Sequence, residues 1–187
     1  MQHERTGNKY THTNMAKKTS FKFNGKLFGS RLYKRIADEQ TERLKAYAAS
    51  EIVNIVLSKA FDDRTKNLAD SYVWCVYFQG KRKGSGTYGK KGATKTSLLH
   101  EFSPEMSVPV DGRKAANEFV KAYKPTETSG WEIVFAACAP YGAYLEGGFT
   151  LHGKRYQFDV MSQRYDQIKN DLSPLCKVTF MVNPPKY

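Results

Sequence analysis

Reactive cysteine chemistry is nearly missing from this 187-residue chain. Cys75, Cys138 and Cys176 stand singly in apolar runs, with no CxxC pair and no neighbouring histidine cluster. That spacing argues against a disulfide framework and against a zinc site, and leaves buried free thiols as the expectation. His3, His12, His100 and His152 are scattered, and none sits one helical turn from another beside a glutamate, so no metal or other cofactor is expected. There is no G-x-S-x-G elbow, and nothing sets Glu101, Glu105 or Glu146 apart as a proton-transferring carboxylate. An enzyme is therefore not expected. No apolar run approaches the roughly 20 residues that span a bilayer, and the mean hydropathy is -0.61. Residues 1–30 lack the apolar core of a secretory signal, so a cytosolic chain without a membrane partner is the expectation.

Acid is scarce as well. Thirty lysines and arginines face 18 aspartates and glutamates, for a net charge of +12. The surplus is concentrated. Residues 1–30 carry Arg5, Lys9, Lys17, Lys18, Lys22 and Lys26 against Glu4, a balance of +5. Residues 80–96 carry Lys81, Arg82, Lys83, Lys90, Lys91 and Lys95 with no acid, a balance of +6. A surplus confined to a tail and a glycine-rich stretch suits contact with phosphates or with an acidic protein surface; its plainer reading is a solubilising fringe. Tyr33, Tyr47, Tyr88 and Tyr123 lie near basic residues and could stack on single-stranded bases, whereas aromatics within strand-like runs are expected in the core.

Within the second basic stretch, GSGTYG at 84–89 matches the dinucleotide fingerprint G-x-G-x-x-G. The match fails on context, because Lys90, Lys91, Gly92 and Ala93 make a poor helix start and no acid follows at the ribose distance. A kinase reading lacks its other elements. A phosphate-binding P-loop would need Ser or Thr where Lys91 stands, so magnesium would lose a ligand. The expectation is a long, adaptable basic loop with glycines at 80, 84, 86, 89 and 92.

Residues 1–19 read as a flexible basic N-terminal extension, within which Met15 is a second candidate start, and 20–187 as a single α+β domain with an insertion at 80–130. From Arg31 to about Phe61 the positions Leu32, Ile36, Leu44, Ala48, Ile52, Ile55 and Val56 recur at helical steps. They predict one long amphipathic helix starting at Gly29–Ser30 and ending before Asp62–Asp63. YVWCVYF (72–78) and WEIVFAAC (131–138) read as buried strands, and CKVTFMV (176–182) as the last one. Asp111 caps a predicted helix over 112–123, with Ala115, Phe119 and Val120 as its apolar side and Pro125 as its stop. Tyr156–Leu172 reads as a second helix with a strand-like lead-in. The expected architecture is thus a long N-terminal helix and a second helix on one side of a small antiparallel or mixed sheet, with a long basic loop between strands.

Three short stretches carry a resemblance. YGAYLEGGF at 141–149 resembles the Tyr-Ala-x-Tyr-Val-Glu-x-Gly-Thr signature of the head-tail connector, or tail-completion, proteins of tailed bacteriophages, through Tyr141, Tyr144, Glu146 and Gly148. Thr65, Leu68 and Ser71 in RTKNLADSY resemble that family's Asp-Thr-Gly-x-Leu-x-x-Ser element. Gln157 and Phe158 resemble its Gln-Pro-Phe-Leu lead-in to the last helix. Arg64, Lys66, Asp159 and Val160 depart from the family pattern.

The resemblance implies a structural virion protein, one subunit of an oligomeric ring at the head-tail junction around the DNA path. The implied partners are further copies of the chain, portal or adaptor proteins and tail proteins, with non-specific contact to phage DNA. The implied location is the virion neck, with host cytoplasm during assembly. Tyr141, Tyr144, Glu146 and Gly148 are then expected at the subunit interface, and Lys81, Arg82, Lys83, Lys90, Lys91 and Lys95 at the nucleic-acid or partner contact. Read from the residues alone, Glu146 projects from a strand bent at Gly147–Gly148, as an intersubunit contact or as a solvated corner. The alternative function is a non-specific nucleic-acid-binding protein using loop 81–95.

Overall fold

The computed structural model describes residues 25–58, 67–88, 111–139, 142–147, 149–151, 153–157 and 159–182. The expected extension 1–19 and the loop residues Lys90, Lys91 and Lys95 lie outside them, as do Thr65, Tyr141, Gly148 and Phe158.

The elements are α1 (Gly25–Leu57), α2 (Asn67–Ser71), β1 (Tyr72–Phe78), β2 (Lys81–Thr87), α3 (Gly112–Ala122) and β3 (Trp131–Ala137). Then come α4 (Gly142–Gly147), β4 (Phe149–Leu151), β5 (Lys154–Tyr156), α5 (Ser162–Leu172) and β6 (Lys177–Val182). The fold is α+β, with a four-stranded mixed sheet in the order β2-β1-β3-β6 and a separate β4-β5 ladder. β1 runs antiparallel to β2 and β3, while β6 runs parallel to β3. A parallel pair needs a long crossover, and α4, β4, β5 and α5 supply it.

Every residue of β1, and all of β3 after Trp131, is buried. Side chains alternate across a strand, and these runs are apolar at both parities, so neither sheet face can be left to water. One face, with Tyr72, Trp74, Val76, Ile133 and Phe135, packs on Leu44, Ala48 and Ile52 of α1 and on Ile168 and Leu172 of α5. The other, with Val73, Cys75, Tyr77, Val134 and Ala136, packs on Ala116 and Phe119 of α3 and on Tyr123. Helices on one side only, as expected from the pattern, is therefore corrected to helices on both.

The segment read as an insertion contributes β2 and α3 to this body. Asp111 caps α3 as predicted, its carboxylate accepting from the Lys114 amide at 2.9 Å. Ala116 rather than Ala115 is buried beside Phe119. α1 begins at Gly25 and runs through Gly29, and its first buried residue is Ala37, so Leu32 and Ile36 belong to a different face from Leu44 and Ala48. α5 is held to α1 by the Arg164–Glu51 pair at 2.7 Å and by the Tyr47 hydroxyl donating to Asp171 at 2.9 Å.

Residues 81–87, expected in a loop, form a strand. Gln79 and Gly80 have φ of 50° and 71°, the two positive values of a type I′ turn, and they set Lys81 opposite Phe78. Ladder partners on β1 override the weak strand preference of KRKGSGT. Its glycines serve close packing. A Cβ on Gly86 would lie 2.9 Å from Nε1 of the buried Trp74 ring, and one on Gly84 would lie 3.0 Å from the Lys45 stem.

All three cysteines are free; Cys75 and Cys138 are buried and Cys176 is half-buried. Burial pushes the Cys75 thiol from 9.0 up to about 11, and the Cys138 and Cys176 thiols up to about 12.

Two outcomes are expected. Gly86→Ala should lose about 1–3 kcal/mol in urea unfolding, because a packed indole must move, whereas Gly84→Ala, which displaces only a lysine stem, should stay within about 0.5 kcal/mol. The thiols predict an alkaline limit. Below pH 9 folded and unfolded chains both keep these protons; between 9.0 and about 11–12 the unfolded chain releases them first, so stability falls as pH rises. Urea midpoints measured from pH 7 upward should decline over that window, and Cys75→Ser with Cys138→Ser should flatten the decline.

Candidate functional site

The expected basic contact splits on the structure. Arg82 lies opposite Tyr77, on the α3 side of β2, and its guanidinium donates to the Val120 carbonyl at 2.6 Å. Val120 is in the last turn of α3, where orphan carbonyls and the helix dipole favour a cation, so Arg82 fastens that helix end to the sheet. Lys83 is the extra residue where the β1–β2 register shifts, and its Nζ sits 5.8 Å from the centre of the Phe78 ring. Lys81 faces solvent beside it. Cations on this outer strand also discourage another strand from adding to the sheet edge.

The motif stretch also differs from its reading. Residues 142–147 form α4, not a bent strand, as suits the helix-forming Ala143, Leu145 and Glu146. Tyr144 is on this helix. The Glu146 carboxylate reaches the N-terminus of α5, accepting from the Met161 amide at 2.6 Å, the Ser162 amide at 3.3 Å and the Ser162 hydroxyl at 2.9 Å. Met161, at the cap position, has no side-chain cap bond of its own. Glu146 thus performs the capping from 15 residues upstream, where the positive helix end favours an anion. Neither alternative foresaw this: the carboxylate is neither solvated nor on a strand. The upstream element holds its predicted place, since Leu68 and Ser71 are buried in α2 immediately before β1.

Of the four tyrosines considered for stacking, Tyr123 is buried with its hydroxyl on Glu132, Tyr47 is bonded to Asp171 and Tyr88 packs against the core. Tyr33 is exposed. Sequence reasoning passed over Glu132, which is 0% exposed in the middle of the sheet. Its carboxylate accepts from the Tyr123 hydroxyl at 2.5 Å, from the Thr126 and Glu127 amides at 2.8 Å each, and from Thr179 at 3.3 Å. It pins the 124–130 turn to β3. The lone acid in the run WEIVFAAC was the signal, because a buried carboxylate requires such partners.

Sequence reasoning also missed the free face of α1. Leu27, Phe28, Leu32, Tyr33 and Ile36 are exposed, with Phe28 at 56%, Leu32 at 47% and Ile36 at 56%. At 100° per residue, the Phe28–Leu32–Ile36 ridge lies roughly 150° around the helix from the face that packs on the sheet. Among the described residues no group of three or more His, Cys, Asp or Glu could hold a metal ion, and no helix is long and apolar enough to cross a membrane.

Glu146→Ala should cost about 1–2 kcal/mol in urea unfolding, the worth of a lost N-terminal cap, and should speed amide hydrogen exchange at Met161 and Ser162. Glu146→Gln, which keeps an acceptor but not the charge, should lose less.

Comparison with known proteins returned no match: no family model, no curated protein and no solved structure matches the chain.

Proposed function

We propose that the chain is an assembly protein, one subunit of an oligomeric ring at the head-tail junction of a tailed bacteriophage. The observation that carries the assembly reading is the apolar ridge on the first three turns of α1, where large side chains stay open to water on a helix otherwise anchored in the core. Contiguous exposed apolar surface marks an interaction site more often than it marks an unused one. The specific assembly rests on the resemblance at 141–149, 65–71 and 157–158. The α4–α5 corner that Glu146 ties together is a rigid place from which Tyr144 and its neighbours would meet the next subunit.

In a ring, Lys81 and Lys83 of β2, with Lys90, Lys91 and Lys95 beyond it, would repeat once per copy, so that weak phosphate contacts add up around passing DNA. Portal or adaptor and tail proteins would cover the remaining faces. The protein would reside in the virion neck after assembly in host cytoplasm. A second reading, non-specific nucleic-acid binding by the free chain, is favoured by the exposure of Lys81 and Lys83 on the outer strand.

Quantitative mass spectrometry of purified particles of the encoding phage should find the chain at one fixed number of copies, larger than two, per portal. Its absence from particles, together with filter binding to DNA that falls steeply as salt rises, would replace the ring with the nucleic-acid-binding reading.

A further inference from the structure

We infer that two copies of this chain pair, antiparallel and about a two-fold axis, through the exposed N-terminal part of α1. The inference goes beyond the ring reading and does not depend on it. Phe28, Leu32 and Ile36 form the ridge, and Gly25 and Gly29 lie beside it. No atom of the chain comes within 4 Å of a Cβ built on Gly29, so a partner helix can approach that backbone closely.

Charge along the same segment commits the occupant. Lys26, Arg31, Lys34 and Arg35 are followed by Asp38, Glu39 and Glu42, so the helix changes sign once along its axis. Arg31, Arg35, Glu39 and Glu42 fall on one flank of the ridge at 100° per residue. In an antiparallel pair like flanks meet with their directions reversed, so each basic turn lies on the partner's acidic turn. A parallel pair would set like charge on like. Glu39 and Glu42 already bond within the helix, to Arg43 at 2.7 Å and Lys45 at 2.8 Å. These are exposed pairs of little worth, which a cross-helix network can extend or exchange.

The sheet and the other helices lie on the far side of α1, so the two bodies point away from each other and do not obstruct the contact. From Gly25 to Glu42 the segment is about 27 Å long, enough for five turns of helix against helix. An isologous contact saturates at two copies. The acidic turn argues against the other coverings of an apolar-basic helix, since an anionic lipid surface or DNA would meet Asp38, Glu39 and Glu42 as well.

The test uses the full chain with light scattering across roughly 1–100 μM, a range that brackets micromolar affinities. The wild type should move from 21.3 kDa towards twice that mass, and Phe28→Asp with Leu32→Asp should raise the dimer dissociation constant at least about tenfold. Two further variants report on charge. One carries Arg31→Glu, Lys34→Glu and Arg35→Glu; the other carries Asp38→Lys, Glu39→Lys and Glu42→Lys. Each alone should stay monomeric, and an equimolar mixture should dimerise. Orientation is read by crosslinking Arg35→Cys with Glu39→Cys, a pair that an antiparallel contact brings together and a parallel one does not. All these positions are exposed, so circular dichroism should confirm unchanged folding. A wild type that stays monomeric throughout, a mixture that fails to associate, a crosslink only in parallel pairs, or a ridge that binds anionic vesicles as a monomer would each overturn the proposal. The virion copy number tests the ring separately, so either idea can fail alone.

Discussion

Antiparallel pairing of β1 with β3 is the contact on which the rest of the molecule is arranged. Seven residues face seven, from Tyr72 opposite Ala137 to Phe78 opposite Trp131, and the ladder is buried along almost its whole length. A strand with apolar side chains at both parities has no face to give to solvent, and each large side chain left exposed would forfeit about 1.5–3 kcal/mol. Both faces must therefore be covered, by elements from either side of the pair in sequence. α1 precedes it, α3 lies within the β1–β3 connection and α5 follows. The outer strands do less of this work. β2 is exposed along its first three residues and β6 is only half-buried, which limits what they contribute to the core while leaving them to shape its edges.

The scarcity of acid becomes structural at the next level. Several acidic side chains are committed inside the fold: Glu132 to the 124–130 turn, Glu146 to the start of α5, Glu51 to Arg164, and Asp111 to the start of α3. Each accepts hydrogen bonds from groups that the fold would otherwise leave without partners, two of them at helix starts. Carboxylates spent in this way neutralise little of the surface. The cations, Arg82 and Arg164 apart, remain largely outside, so a chain with a modest excess of base presents a strongly basic exterior. Internal satisfaction and external charge are two aspects of one allocation.

Much of the fold was legible. The strands at 72–78, 131–137 and 177–182, the Asp111 cap and α5 follow from period, β-branched and aromatic content and capping chemistry, all of which act locally. What escaped depends on partners distant in sequence. β2 is a strand because β1 offers it a ladder and the Gln79–Gly80 turn sets the register; its own residues prefer a loop. Gly84 and Gly86 look like mobility in one dimension and are spaces for Lys45 and Trp74 in three. Glu146 matched a motif by letter, yet its role is set by Met161 and Ser162, which no spacing rule connects to it. Of the expected contact residues, Arg82 is occupied at α3, while Lys81 and Lys83 keep the exposure that the expectation required.

The free ridge of α1 has a simple geometric origin. Residues four apart on a helix are separated by 400°, about 40° more than a full turn, so a stripe built on steps of four winds around the axis. From Phe28 to Ile52, six such steps rotate the stripe by roughly 240°. Mixed steps of three and four, as from Ala48 to Glu51 and from Ile52 to Ile55, hold the later part of the helix against the sheet, since they average the helical period. The earlier part, written as Phe28, Leu32 and Ile36, drifts off the core before it ends. A helix serving only the core of its own chain gains nothing from apolar side chains there. Their spacing is that of a surface laid out for another helix, and it is the drift of a single stripe that lets α1 hold its own sheet at one end and meet a partner at the other.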